Sequence, residues 1–501
     1  MSLFQKVGFI LGLIIFIFIL IFIELDPSNP NLTKMAATAS LMAVWWITEA
    51  IPLAATSLIP IIIFPLSGIL DGEKTTAAYI NSIIFLFLGG FLLALAMEKW
   101  GLHKRIALKI ITLFGGSPNS IVIGFMAATA FLSMWISNTA TAIMMLPIAL
   151  AIINKMENEF GKEKTHNFSL TILIAIAYSC SLGGICTLIG TPPNLAFVRI
   201  LKIAFPNSPQ IGFGTWMMLA IPIALVMLMF AAFLLTKVFY KYDKNLVINK
   251  NFIKDEYKLL GKISFEERIV AIVFFSTAML WIFRIDMNLG YIIIPGWERL
   301  FPFSKYLNDG TVAIAMALLL FIIPSQKNEN QKQTILDTTV FNKVPWGIIL
   351  LFGGGFALAE GFTSTGLSKF IGLKLETVTN FSPFIIVVVV ALLITFLTEL
   401  TSNIATAQMI LPIMASVAVV AQINPLLLMI TATLSASMAF MLPVATPPNT
   451  IVFASERIRI IDMARIGFFM NLFGVIIISL LVYLIGTALF GLNVFPAWAN
   501  P

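Results

Sequence analysis

Charge is scarce in this sequence. Asp, Glu, Lys and Arg make up 11% of its 501 residues, against roughly a quarter in water-soluble domains, and hydrophobic residues reach 59%. Water is therefore excluded as the main solvent. Only two cysteines are present, Cys180 and Cys186. Both fall in or at the end of an apolar helix and are expected to behave as small hydrophobic residues, so neither a disulfide framework nor a thiolate metal site is foreseen. The two histidines, His103 beside Lys104 and Arg105 and His166 in a charged loop, are expected to be solvated surface groups. There is no H-E-x-x-H, no G-x-S-x-G and no pair of membrane aspartates, which removes the nucleophiles, bases and metal ligands of an intramembrane hydrolase. The chain is not expected to be an enzyme. Its net charge of +7 is scattered over short loops, which argues against nucleic acid as a partner.

What is abundant is long apolar sequence, with a mean hydropathy of +0.98. Runs long enough to cross a bilayer, about 20 residues each, recur at roughly 7–23, 35–48, 53–70, 82–98, 168–189, 215–239, 268–285, 310–324, 345–360, 425–443 and 466–490. They are too long and continuous for barrel strands, and in lipid each must satisfy its own backbone hydrogen bonds, so they are helices. An all-α polytopic membrane protein of about eleven spans follows. The run from Val7 to Ile23 has no small-residue cleavage site before Glu24 and Asp26, and is expected to be a retained first helix. The 23 Met and 43 Phe are expected to face lipid or fill packing gaps.

Loop charge orients the chain. With the N-terminus cytoplasmic, 22 of the 31 Lys and Arg fall on the cytoplasmic side, including the Lys-rich stretch from Lys237 to Arg268, and the C-terminus lies outside. This bookkeeping works only if two further apolar stretches, 119–153 and 381–421, enter and leave on the same side. Each is predicted to be a re-entrant hairpin, with a polar tip at Ser137-Asn138-Thr139 and at Ser402-Asn403. A polar tip at membrane depth requires protein or water around it.

The two halves repeat. An offset of 265 carries Gly90-Phe91 onto Gly355-Phe356, Ser133 onto Thr398, Ser137-Asn138 onto Ser402-Asn403 and Leu146-Pro147 onto Leu411-Pro412. Thr191-Pro192-Pro193-Asn194 recurs as Thr446-Pro447-Pro448-Asn449 at an offset of 255. Two prolines remove two backbone donors and push the preceding residue out of the α region, so a helix must break there and restart. Its freed carbonyls suit a cation and its freed N–H groups an anion. The expected organisation is an N-terminal helix and loop (1–33), a first repeat (34–245) with its broken helix at 190–194, a cytoplasmic linker (246–263) and a second repeat (264–501) with its break at 445–449. The charge assignment makes the repeats inverted, as in secondary transporters.

The segments 119–153, 183–198, 395–415 and 440–453 hold hydroxyls, amides and Gly or Ala carbonyls. They contain no Lys, Arg or His and one acid, Glu399. Hard oxygen ligands suit a small hard cation. An anion there would lack a fixed counter-charge unless metal cations bound with it. For Glu49 and Glu399, acids at the edges of membrane segments, a capping or hydrogen-bonded structural role is expected, with proton coupling through Glu399 as the alternative.

The segment Trp45-Trp46-Ile47-Thr48-Glu49-Ala50-Ile51-Pro52-Leu53, the two Ser-Asn tips and the two Thr-Pro-Pro-Asn breaks together resemble the divalent anion/sodium symporter family over nearly the whole chain. The resemblance implies homodimers in a bacterial inner membrane. It also implies eleven transmembrane helices plus two hairpins per protomer, and elevator-like transport of di- or tricarboxylates, or sulfate, with sodium. It places one Na+ at Ser133, Ser137, Asn138 and the Gly190 carbonyl, and a second at Thr398, Ser402, Asn403 and the Ala445 carbonyl. Substrate would be lined by Ser137, Asn138, Thr139, Thr191, Ser402, Asn403, Thr446 and Pro447. The sequence departs from a full second Ser-Asn-Thr tip at Ile404, opposite Thr139. Sodium-coupled symport of a C4-dicarboxylate such as succinate ranks first. A citrate or sulfate symporter, a sodium-independent exchanger and a channel are the alternatives.

Overall fold

The computed structural model describes residues 1–241, 251–288, 292–327, 333–375 and 381–500. Lys244, Lys250 and Lys332, counted above on the cytoplasmic side, lie outside the described residues, as do the first residues of the linker and Pro501. With few side chains able to bond the backbone, the chain bonds to itself in helices. The only sheet among the described residues is the two-residue antiparallel pair Met287–Asn288 and Ile293–Ile294.

The first half comprises α1 (Leu3–Phe22), α2 (Pro30–Thr48), α3 (Leu53–Thr56), α4 (Ile59–Ser67), α5 (Gly72–Ala77), α6 (Ser82–Lys99), α7 (Leu102–Phe114), α8 (Pro118–Ser133), α9 (Asn138–Phe160), α10 (Lys162–Gly184), α11 (Pro192–Ala204) and α12 (Phe213–Phe233). After α13 (Asn251–Leu259) come α14 (Phe265–Ile282), α15 (Asp309–Ile322), α16 (Trp346–Thr365), α17 (Leu367–Lys374), α18 (Pro383–Thr398), α19 (Asn403–Val420), α20 (Pro425–Ser435), α21 (Pro447–Phe453), α22 (Ile460–Leu481) and α23 (Thr487–Phe490). Their starts follow capping chemistry. Ser117 accepts from Ser120 N with Pro118 at the first helical position, Ser264 and Glu267 form a capping box, and Asn308 and Asn424 cap α15 and α20.

Eight helices among the described residues are long and apolar enough to cross a membrane. Six coincide with expected spans. The other two, α9 and α19, fall in the segments 119–153 and 381–421, which were expected to be hairpins rather than spans. Expected spans 35–48 and 268–285 are α2 and α14, whereas 53–70, 310–324 and 425–443 are shorter helices. The first of these is split at Ser57-Leu58, ahead of Pro60; α15 has 14 residues; α20 ends at Ser435.

The breaks are also wider than the motifs. Helix α10 stops at Gly184 and α11 starts at Pro192; α20 stops at Ser435 and α21 starts at Pro447. Proline fixes where a helix restarts, because its φ suits the first turn, but not where the preceding helix ends.

At the centre lies α10, almost wholly buried, packed against α8, α9, α12 and α21. A Cβ on Gly183 would stand 2.3 Å from Ala130 O, so α8 and α10 meet backbone to backbone. By contrast, α1 buries only Gly8 and Gly12, against Thr48 and Trp45 of α2, and leaves its remaining face apolar and open. The half-helices cross over: α11 packs on α19, α20 and α16, and α21 packs on α9 and α10.

Candidate substrate and cation site

Each tip is a helix end, a short turn and a helix start. In the first, α8 ends at Ser133 and α9 starts at Asn138, with Ser137 accepting from Ala140 N at 3.3 Å. In the second, α18 ends at Thr398 and α19 starts at Asn403. Beneath each tip the same bonds recur. Ser133 Oγ lies 2.8 Å from both Asn138 Oδ1 and Cys180 O. Thr398 Oγ1 lies 2.8 Å from both Asn403 Oδ1 and Ala436 O. A hydroxyl has one proton to give, so in each half one proton serves two acceptors.

In the first half three oxygens face the Asn138 amide, Ser133 Oγ at 2.8 Å, Cys180 O at 3.1 Å and Gly190 O at 3.3 Å, and they are satisfied when the amide turns its nitrogen to them, with two N–H groups shared among the three. Such a ring takes either an N–H donor or a cation at its centre, and oxygen-only donors suit a hard cation. Sequence reasoning missed the Cys180 and Ala436 carbonyls, since any residue type can supply a backbone oxygen.

Thr191 and Thr446 are extended, at φ −138° and ψ 139° and at φ −140° and ψ 150°, and launch the half-helices alike. The asparagines of the two motifs point elsewhere. Asn194 Nδ2 donates to Thr187 O (2.7 Å) and Ile185 O (3.3 Å), and Asn449 Nδ2 to Leu442 O (3.0 Å) and Ala439 O (3.2 Å). Both are fully buried and tie each break loop to its own half-helix. Across the halves the loops are secured differently. Thr187 Oγ1 donates to Met134 O and accepts from Gly190 N at 3.0 Å. In the second half Glu399 accepts from Phe440 N (2.7 Å), Met441 N (2.9 Å), Leu442 N (3.1 Å) and Asn471 Nδ2 (2.7 Å).

Between the tips lies a cavity of about 720 Å³. Ser137, Asn138, Thr139, Thr191, Ser402, Asn403, Thr446 and Pro447 all line it, as do Gly190, Ala445 and Ile404. Ser133 and Thr398 do not; they are fully buried below it. The Thr446 hydroxyl is buried with no protein partner. Trp46, Ile47, Thr48 and Glu49 form part of the wall, with Ser2, Phe4 and Gln5 of the N-terminal segment. None of these was expected as a lining residue. Glu49 ends α2 in the left-handed region at φ 46° and is the only charged side chain among the described lining residues. His103 differs from expectation: it is half-buried, with Nδ1 2.9 Å from Met97 O, because the start of α7 folds back on the end of α6.

The family model described as "Sodium:sulfate symporter transmembrane region" matches residues 4–492. The chain belongs to this family. A sodium-dependent dicarboxylate transporter of Staphylococcus saprophyticus is 42% identical over 495 residues, covering 98% of this chain and 93% of that protein. One from Staphylococcus aureus is 43% identical over 497 residues, with the same coverage. Two solved structures share the fold at low identity. They are the antimetabolite efflux pump MtrF of Neisseria gonorrhoeae (TM-score 0.54, 13% identity, 90% of this chain and 94% of that one) and the YdaH transporter of Alcanivorax borkumensis (0.54, 12%, 90% and 99%). Membership in this transporter family accords with a carrier rather than an enzyme.

Proposed function

We propose that this protein is a secondary active transporter that carries C4-dicarboxylates such as succinate together with sodium. The observation that carries the reading is the duplicated cluster of one hydroxyl, one asparagine amide and backbone carbonyls beneath each tip, and the two clusters flank a cavity lined by no Lys or Arg. Two Na+ ions, one at Ser133, Ser137, Asn138 and Gly190 and one at Thr398, Ser402, Asn403 and Ala445, supply the positive charge that a dianion needs. Its carboxylates meet Asn138, Thr139, Asn403 and Thr446. The dicarboxylate named in the relatives supports this choice over sulfate, and so does the apolar wall at Ile404 and Ile189, which suits a methylene chain.

Sodium orders the tips and completes the anion site, which couples downhill cation to uphill substrate. The halves act as inverted repeats within the boundaries given above, in a homodimer in a bacterial inner membrane, with the hairpin-bearing elements moving as an elevator. The N-terminus is cytoplasmic. Ser2 and Gln5 line the cavity, so with the N-terminus cytoplasmic this part of its wall faces the cytoplasmic side.

Succinate uptake into proteoliposomes, with and without an inward sodium gradient, tests the reading. Uptake should require sodium and be competed by unlabelled dicarboxylate. Equal uptake in choline buffer would replace it with a sodium-independent exchanger, and ohmic current without substrate with a channel.

A further inference from the structure

The cavity has two matching flanks, and they stand differently. The offset of 265 pairs α6 with α16, and that of 255 pairs α11 with α21. On one flank α11 packs on α16. On the other, Phe91 and Ala94 of α6 and Pro448 and Ile451 of α21 all line the cavity, and α21 does not pack on α6. One flank is shut and the other parted.

The shut flank carries an ion pair. Arg199 Nη2 of α11 lies 3.5 Å from Glu360 Oε1 of α16, with the two side chains 27% and 38% exposed. Arg199 Nε is buried without a partner. Ionisable residues within apolar helices are costly and are retained where they act. The matching positions on the parted flank are Leu95 and Ala454, which cannot form such a pair.

The geometry suits a contact made to be broken. A single bond at the long end of the range joins guanidinium to carboxylate, and a half-exposed pair is weak. Arg457, by comparison, grips both carboxylate oxygens of Glu157 and bonds Asn154 Oδ1 at 3.0 Å, tying α9 firmly to the chain after α21.

We propose that Arg199 and Glu360 form a releasable latch between α11 and α16, which holds this flank of the cavity shut and has to open when the hairpin-bearing elements move. The proposal rests on the moving-element carrier reading above. With the N-terminus cytoplasmic, α16 starts on the cytoplasmic side after Lys343, and Glu360 lies near its outer end at Thr365, so the latch closes the outer flank. Since only this flank has one, the carrier at rest favours the conformation in which the outer flank is shut. Substrate arriving from outside then binds with its affinity reduced by the fraction of carriers open there.

Succinate uptake into intact cells tests the latch. Glu360→Gln removes the attraction and keeps the shape, and should lower half-saturating external succinate by about threefold, the scale of one half-exposed ion pair. Structural damage would raise it. Exchanging the charges, Arg199→Glu with Glu360→Arg, should return it to the wild-type value. Half-saturation that is unchanged or raised in Glu360→Gln overturns the proposal.

Cross-linking tests the motion. In Arg199→Cys with Glu360→Cys, a flexible bifunctional thiosulfonate should join the two positions and stop uptake, and a reductant should restore it, while the buried Cys180 and Cys186 stay out of reach. Each single-cysteine variant should keep its uptake under the same treatment. Uptake that survives the cross-link puts α11 and α16 in one body and overturns the latch. Ohmic current through the wild type without substrate would instead remove the carrier reading on which the latch rests.

Discussion

The chemistry of this site is decided by protons. Ser133 and Thr398 each set one hydroxyl between a backbone carbonyl and the side-chain amide of an asparagine. Removing the asparagine amide from either tip removes a polar group of the proposed cation site and the first residue of a helix at once. Asn138→Ala and Asn403→Ala are each expected to reduce succinate uptake to background while protein of normal size is still recovered in detergent. Uptake by both variants would detach the tips from transport. Ile404 is the second single-residue test. Its counterpart Thr139 brings a hydroxyl to the same cavity, and Ile404→Thr adds one where the wild type is apolar. One added hydrogen bond of about 1 kcal/mol should shift competition towards hydroxylated dicarboxylates, malate over succinate, by roughly fivefold. At this scale the sequence, through the 265-residue offset, picked out the tip side chains that line the cavity or lie beneath it. It concealed the Cys180 and Ala436 carbonyls, which have no residue signature, and the work of Glu399, whose role depends on N–H groups some forty positions away.

At the scale of elements, the Thr-Pro-Pro-Asn motifs have two separate duties. The threonine and the prolines start a half-helix beside the cavity, and the asparagine holds the preceding loop from behind. Asn194→Ala takes the donor from the Thr187 carbonyl and Asn449→Ala from the Ala439 carbonyl, at a cost of about 1–3 kcal/mol each, while Ile185 O keeps Trp216 Nε1 and Leu442 O keeps Ala445 N. Lower melting temperatures in detergent and weaker succinate affinity are the expected outcome. Unchanged melting would mean that the loops are held by other contacts. That the motifs interrupt helices was legible from proline's missing N–H. The true extents of the breaks, 185–191 and 436–446, were not, because a helix ends where its next backbone groups find other partners, and these come from distant segments. Likewise α9 and α19 have the length and hydropathy of spans, whereas the arms before them, α8 and α18, have 16 residues each, an inequality that hydropathy did not reveal.

For the whole molecule, the scarcity of charge made the all-helical class and the membrane setting legible at once, and the scatter of Lys and Arg gave an orientation that thiol labelling can check. Cys180 and Cys186 are both buried, so single introduced thiols can be read against a quiet background. Ser28→Cys, exposed in the loop after α1, should react with a membrane-impermeant maleimide in intact cells, and Ser2→Cys only after permeabilisation. The reverse pattern would invert every loop and turn the cavity to the outside. How the halves pack could not be foreseen. Each half-helix finds its neighbours largely in the opposite repeat, α11 on α19 and α21 on α9, and local sequence does not encode which distant partner fills a groove.

The presence of Ser2, Phe4 and Gln5 on the cavity wall has a practical side. A purification tag or fluorescent reporter joined at this end would stand against the cavity wall, and is expected to slow turnover without harming expression or folding. The same cargo joined after Asn500, which does not line the cavity, should leave flux intact. Expression yield is therefore a poor guide in choosing between the two fusions.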